Sequence, residues 1–148
     1  MGQIEGDAGL NKNLNATELK RFDGAQDTAR ALEHTLEHFQ AIVQSSDDAI
    51  ISKTLDGLVT SWNTGAQSIF GYTEQEMQGK SMLVLFPPER VEEEAYILKQ
   101  VGRGSRVDHF ETERLHKNGS RIHVSVTISP IRDRHGVVVG ASKIARDI

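Results

Sequence analysis

The spacing of apolar and polar positions changes character three times along the chain. Ala25, Ala29, Leu32, Leu36, Phe39 and Val43 are spaced 4-3-4-3-4, with Arg30, Glu33, Glu37 and Gln40 among the polar positions around them. That is a heptad seam of under three repeats. It predicts an amphipathic helix over residues 23–44, which packs on its own domain or pairs with a second copy. The pairing reading is carried forward. The period then shortens to that of strands. Residues 49–51 and 58–62 flank Leu55-Asp56-Gly57, and Asp-Gly supplies positive φ at a bend, which predicts a hairpin. Asn63 is a good helix N-cap, and Ala66, Ile69 and Phe70 mark one face of a short helix that Gly71 stops. Thr73 with Glu76 three residues on is a capping box for a second short helix. Residues 82–86 are a compact apolar segment that Pro87-Pro88 ends. Pro88 suits the first position of a longer helix to about Val101, with Val91, Ala95, Leu98 and Val101 as its expected buried stripe.

The last third returns to period two. Strands are expected at 107–116 and 121–131 around Asn118-Gly119, a strong hairpin signal, and at 137–145 after a turn at 133–136. Ile122, Val124, Val126 and Ile128 alternate with His123, Ser125 and Thr127. The sum is an α+β domain: one antiparallel sheet with helices on one face. Residues 1–22 are polar and are expected to form a flexible tail, 23–44 the helix, and 45–148 the domain.

Composition narrows the function classes. A net charge of −4 implies no general polyanion surface, so nucleic acid is not an expected partner. The chain has no cysteine, which excludes disulfides, thiolate metal sites and thiol-linked chromophores, and fits a reducing cytoplasm. No apolar run approaches the ~20 residues that span a bilayer. His34 and His38 lie four apart but off the seam, as expected of solvated surface. An enzyme is the remote alternative: there are no evident paired carboxylates, no Ser-His-Asp spacing and no phosphate loop. The run Glu92-Glu93-Glu94 is expected to be a solvated helix face, with one of the three able to point inward.

From about Phe39 to Ile148 the chain resembles a PAS domain of the bacterial sensor type. The resemblance rests on Ile50-Ile51 with Asp56-Gly57, Trp62-Asn63, Phe70-Gly71-Tyr72-Thr73, Met77 with Gly79-Lys80, Leu85-Phe86-Pro87, Phe110-Glu111-Thr112, Lys117-Asn118-Gly119 and Arg146-Asp147-Ile148, in family order. It implies a five-stranded antiparallel sheet in the order 2-1-5-4-3, with a cavity between the sheet and the helix after Pro88. It also implies a sensory or relay role, with a histidine kinase or cyclic-dinucleotide enzyme as the output, missing from this fragment. The expected partners are a second copy, a fused or separate output domain and a small ligand.

Cofactors can be tested by residue. The photosensory branch of the family needs a cysteine that is absent. The haem branch uses a histidine three residues before a tyrosine on the long helix. With Tyr96 as that tyrosine the position is Glu93, a poor haem ligand, and Phe110 stands at the polar distal position. Haem is therefore disfavoured. A non-covalent flavin, FAD or FMN, stays open with Trp62 as a stacking wall, though no cofactor is predicted. The expected cavity walls, from strand parity and helix stripe, are Tyr96, Leu98, Phe110, Val124, Val126, Ile128 and Ile144. The expected dimerisation positions are the six seam residues.

Overall fold

The structure is a computed structural model that describes residues 16–148, with side chains from Gly24 onward. The expected tail lies, through residue 15, outside the described residues. The chain divides into two units, one ending at Ala41 and one spanning Ile42–Ile148.

The first unit holds most of one long helix, α1 (Ala16–Ser45), which begins earlier than the predicted 23. Along it Leu32, Leu36 and Phe39 are each 59% exposed, so the apolar seam is uncovered.

In the second unit β1 (Ala49–Thr54) and β2 (Val59–Trp62) form the expected hairpin around Gly57, whose φ is +85°. Short helices α2 (Thr64–Phe70) and α3 (Glu74–Met77) follow, then 3-10 turns at Met82–Leu85 and Pro88–Arg90. Helix α4 (Glu92–Gly102) precedes β3 (Val107–Leu115), β4 (Arg121–Arg132) and β5 (Val138–Asp147). The sheet is antiparallel throughout, in the order β2-β1-β5-β4-β3. That is the order the resemblance implied.

Local chemistry explains the starts and stops. Thr73 and Glu76 form the complete capping box of α3. Gly71 ends α2 in the left-handed region with φ +84°, and the His116 ring packs so closely that a Cβ there would lie 2.4 Å from it.

Asn63 does more than cap. Its Oδ1 accepts from Ala66 N at 2.9 Å and from Ile50 N at 2.8 Å. Its Nδ2 donates to Val43 O at 2.8 Å and Asp48 O at 3.1 Å. One buried amide therefore joins the last turn of α1, the start of β1 and the start of α2. Asn63→Ala removes the cap and leaves buried backbone groups unpaired, and is expected to cost about 3 kcal/mol in urea unfolding. Aspartate, which keeps the cap acceptor but loses the two donors, should recover only part of it.

The core lies between the sheet and the helices. Ile51, Phe70, Met82, Leu85, Val101, Val124, Val126 and Ile128 are fully buried. Trp62 is buried, its ring 5.7 Å from that of Phe70 and its indole N–H donating to Tyr72 O at 2.8 Å.

Two sequence expectations are corrected here. On α4 the buried positions are Glu94, Ile97 and Val101, while Val91 and Ala95 are exposed and Leu98 is half-buried. Apolar spacing points to Val91 and Ala95, but Glu94 has an inward partner in Lys53. On β5 the inward residues are Ala141, Lys143 and Ala145, so Ile144 faces the other side of the sheet. A lysine on the core face had shifted the apparent parity by one.

Candidate functional site

Helix α4 packs against one face of the sheet, and the groups meeting between them are charged. Lys53, inward on β1, donates to Glu94 Oε1, with Lys53 1% and Glu94 5% exposed. Glu93, one residue earlier, faces β3. It accepts from Arg114 Nη1 at 2.9 Å, from Thr112 Oγ1 at 2.7 Å and from Arg90 Nη1 at 2.9 Å. Arg114 is fully buried with its guanidinium 3.8 Å above the Phe86 ring. Lys143, inward on β5, is also buried, its Nζ 5.7 Å from the Phe86 ring and 6.0 Å from that of Phe70. Among the described residues Lys143 Nζ, Arg114 Nε and Nη2, and Glu94 Oε2 have no hydrogen-bond partner.

Three buried cations thus meet two carboxylates, and the electrostatics follow. Burial pushes the Lys143 ammonium well below its ordinary 10.5, and the neighbouring Arg114 and Lys53 push it the same way. Burial also lowers Lys53, more than Glu94 restores it. Burial alone would raise Glu93, but hydrogen bonds from Arg114, Thr112 and Arg90 outweigh it and hold the carboxyl below its usual range.

The sign of the pH dependence is fixed by this. Below about pH 10.5 the unfolded chain protonates Lys143 while the folded chain does not, so stability falls as pH falls through that window. Lys143→Met is expected to flatten the slope of unfolding free energy between about pH 10 and 8. It should stabilise the domain near neutrality by about 1–3 kcal/mol, since the unpaired amine of Lys143 is then no longer buried. Denaturant unfolding at several pH values measures both.

Surface clefts surround this interior. One of about 250 Å³ lies beside α4 and the β1–β2 turn, lined by Asp56, Gly57, Ser81, Leu83, Val91, Glu94, Ala95 and Leu98. Another of about 340 Å³ is lined by Tyr72, Glu76, Met77, Lys80, Ser81 and Val84. A third, about 210 Å³, includes Asp48, His109, Thr127, Ile144 and Arg146.

The expected wall residues are only partly brought together. Val124, Val126 and Ile128 are buried in the core, Phe110 is half-buried against it, and Leu98 borders the cleft beside α4. Tyr96 is 54% exposed and Ile144 lines the cleft with Thr127 and Arg146, so neither faces the core. The almost wholly apolar set of cavity walls expected from the sequence is therefore corrected to a charged interior. Two of the three consecutive glutamates face inward, against the expectation of a solvated run. Lys53 was legible in principle: it shares the parity of Ala49 and Ile51 on a strand whose inner face is buried.

The cofactor alternatives can be weighed on the donor set. Glu93 is engaged by Arg114, Thr112 and Arg90 and offers no imidazole, so the residues do not fit haem. Trp62 is committed to Phe70 and Tyr72, so they do not fit a flavin stacked on it either. Among the described residues no group of three His, Cys, Asp or Glu side chains is placed to hold a metal.

Comparison with known proteins matches the same region. A family model described as the PAS fold matches residues 37–148. The chain is 30% identical over 121 residues to the signal transduction histidine-protein kinase AtoS of Escherichia coli, covering 81% of this chain and 19% of that protein. It is 29% identical over 97 residues to the sensor protein FixL of Bradyrhizobium diazoefficiens, covering 65% of this chain and 19% of that one. The crystal structure of a PAS domain from Colwellia psychrerythraea superposes with a TM-score of 0.70 at 27% identity, over 77% of this chain and 97% of that one. The chain spans about a fifth of the length of the two kinase and sensor relatives.

Proposed function

This chain belongs to the PAS family, and from that premise we propose that residues 42–148 are the sensory or relay domain of a cytoplasmic two-component signalling protein. The domain is regulatory, and the enzyme it serves is a histidine kinase or a cyclic-dinucleotide enzyme, fused or separate. The exposed heptad seam Ala25, Ala29, Leu32, Leu36, Phe39 and Val43 pairs two copies. No described helix is long and apolar enough to cross a membrane.

One observation carries this reading: the last and central strand of the sheet ends beside Asp48 and Ala49, where the chain enters β1. Ala145 pairs with Ala49, and Arg146 Nη2 bonds Asp48 Oδ2 at 3.2 Å. Asp48 O is in turn held by Asn63, which also holds Val43. A shift of β5 therefore reaches the last turn of α1 through the side chains of Arg146, Asp48 and Asn63.

Two experiments test it. Sedimentation equilibrium of the 148-residue chain at micromolar concentration is expected to show a dimer, and Leu32→Asp/Leu36→Asp a folded monomer. Residues 42–148, placed in the AtoS kinase instead of the region they match, are expected to support autophosphorylation, with Arg146→Ala changing its rate about fivefold. A wild-type monomer removes the pairing. A rate indifferent to Arg146→Ala removes the relay.

A further inference from the structure

The cleft beside α4 has a chemistry of its own. Its walls, Leu83, Val91, Ala95 and Leu98, are apolar. Its ionisable groups are two carboxylates, Asp56 and Glu94, and no basic side chain lines it. Asp56 makes no ion pair among the described residues. Glu94 is 5% exposed, and only its Oε1 is used, by Lys53. Its Oε2 has no partner.

That orphaned oxygen is itself closed to solvent, next to the Gly57 turn that borders the cleft. A Cβ built on Gly57 would lie 4.0 Å from it and 3.6 Å from Leu98 Cδ1. Gly57, with φ +85°, thus keeps the space between turn and helix open, and both of those atoms border it. A buried carboxylate oxygen without a donor is costly, and the missing group is an N–H or O–H donor. Counting Lys53 with its partner, Asp56 and Glu94 leave one uncompensated negative charge. At about 250 Å³ the cleft is below the range for drug-sized ligands, which sets the size of what it takes.

We propose that this cleft binds a small primary ammonium with a short apolar body, the nitrogen donating to Glu94 Oε2 and facing Asp56, the carbon chain lying along Leu98, Val91 and Leu83. An alcohol of the same size satisfies the oxygen without the charge and binds more weakly. A carboxylate is repelled. As the input of the relay it rests on the function proposed above; as a binding site it does not. The link is direct, because the same carboxylate holds Lys53 on β1, which neighbours β5 through the Lys53–Ala141 pairing.

The test is an ¹⁵N-detected NMR titration of the 148-residue chain with n-butylammonium, butan-1-ol and butanoate at matched ionic strength. Butylammonium is expected to saturate with shifts centred on Gly57, Glu94 and Leu98. Butanol should bind at least about tenfold more weakly, the difference between a charge-assisted and a neutral hydrogen bond. Asp56→Asn, an exposed position, should weaken butylammonium about threefold to fivefold. Glu94→Gln should weaken it tenfold or more. Leu98→Trp should fill the cleft and abolish the shifts with circular dichroism unchanged; if Glu94→Gln does not fold, Asp56→Asn and Leu98→Trp decide. Butylammonium binding no tighter than butanol, shifts centred elsewhere, or binding indifferent to Leu98→Trp overturns the site. Intact binding with an autophosphorylation rate in the AtoS chimera indifferent to butylammonium keeps the site and removes its role as input.

Discussion

Glu94→Leu is expected to lower the unfolding free energy by about 3–5 kcal/mol, and adding Lys53→Met to recover most of that loss. The single change leaves the Lys53 ammonium 1% exposed with its partner gone. Water cannot reach it, and Arg114, which also acts on it, has the same sign. Deprotonation of Lys53 caps the cost, which should therefore be smaller at high pH. The double change removes both charges and replaces them with apolar chains of similar volume, a swap that is often neutral or stabilising. The residual term of the Lys53/Glu94 double-mutant cycle isolates the coupling. A single variant that loses less than about 1 kcal/mol would mean that Lys53 finds water or another partner.

Gly65→Ala is expected to be more damaging still, about 4 kcal/mol or more, enough to prevent folding of a marginal domain. By helix propensity alone the change should help: Gly65 is the second residue of α2, and alanine in a helix interior is favoured by about 1 kcal/mol. Sterics decide otherwise. A Cβ at Gly65 would lie 2.1 Å from Asp48 O and 2.8 Å from Ser46 O. Both are backbone atoms, and Asp48 is held by Asn63 on one side and Arg146 on the other. No rotamer change relieves the clash, so α2 or the α1–β1 junction must move. Gly102→Ala is the control, because nothing lies within 4 Å of its Cβ. It should stay within about 1 kcal/mol of the parent. Urea unfolding followed by circular dichroism compares the two.

The two variants show what was legible in the sequence. The hairpin at Gly57, the Asn63 cap, the Thr73–Glu76 box and the Asn118-Gly119 turn are local signals, each decided by a few neighbouring residues, and they place most elements within one or two positions. The strand order came from the resemblance and from no periodicity. What stayed hidden was inside. Lys53, Glu93, Glu94, Arg114 and Lys143 are charged residues in core positions, and hydropathy assigns charged residues to the surface. On α4 that rule rotated the helix toward Val91 and Ala95; on β5 it flipped Ile144 inward in place of Lys143. Each charge is tolerable only because of a partner or an aromatic ring far away in sequence. Gly65 was hidden for a related reason: the carbonyl it must avoid is 17 positions earlier in the chain.

The position of Lys143 has a consequence for covalent chemistry. Burial pushes its ammonium well below the ordinary range, toward the nucleophilic free amine, yet the group is buried beside Phe70 and Phe86. An acylating reagent therefore modifies the exposed Lys80 and Lys117 from the folded state but reaches Lys143 only when the domain opens. Once acylated, the longer side chain has no room beneath Phe70 and Phe86, so reclosure is blocked and each opening leaves a permanent mark. The ratio of label at Lys143 to label at Lys117 is thus a running record of how often this domain has come apart.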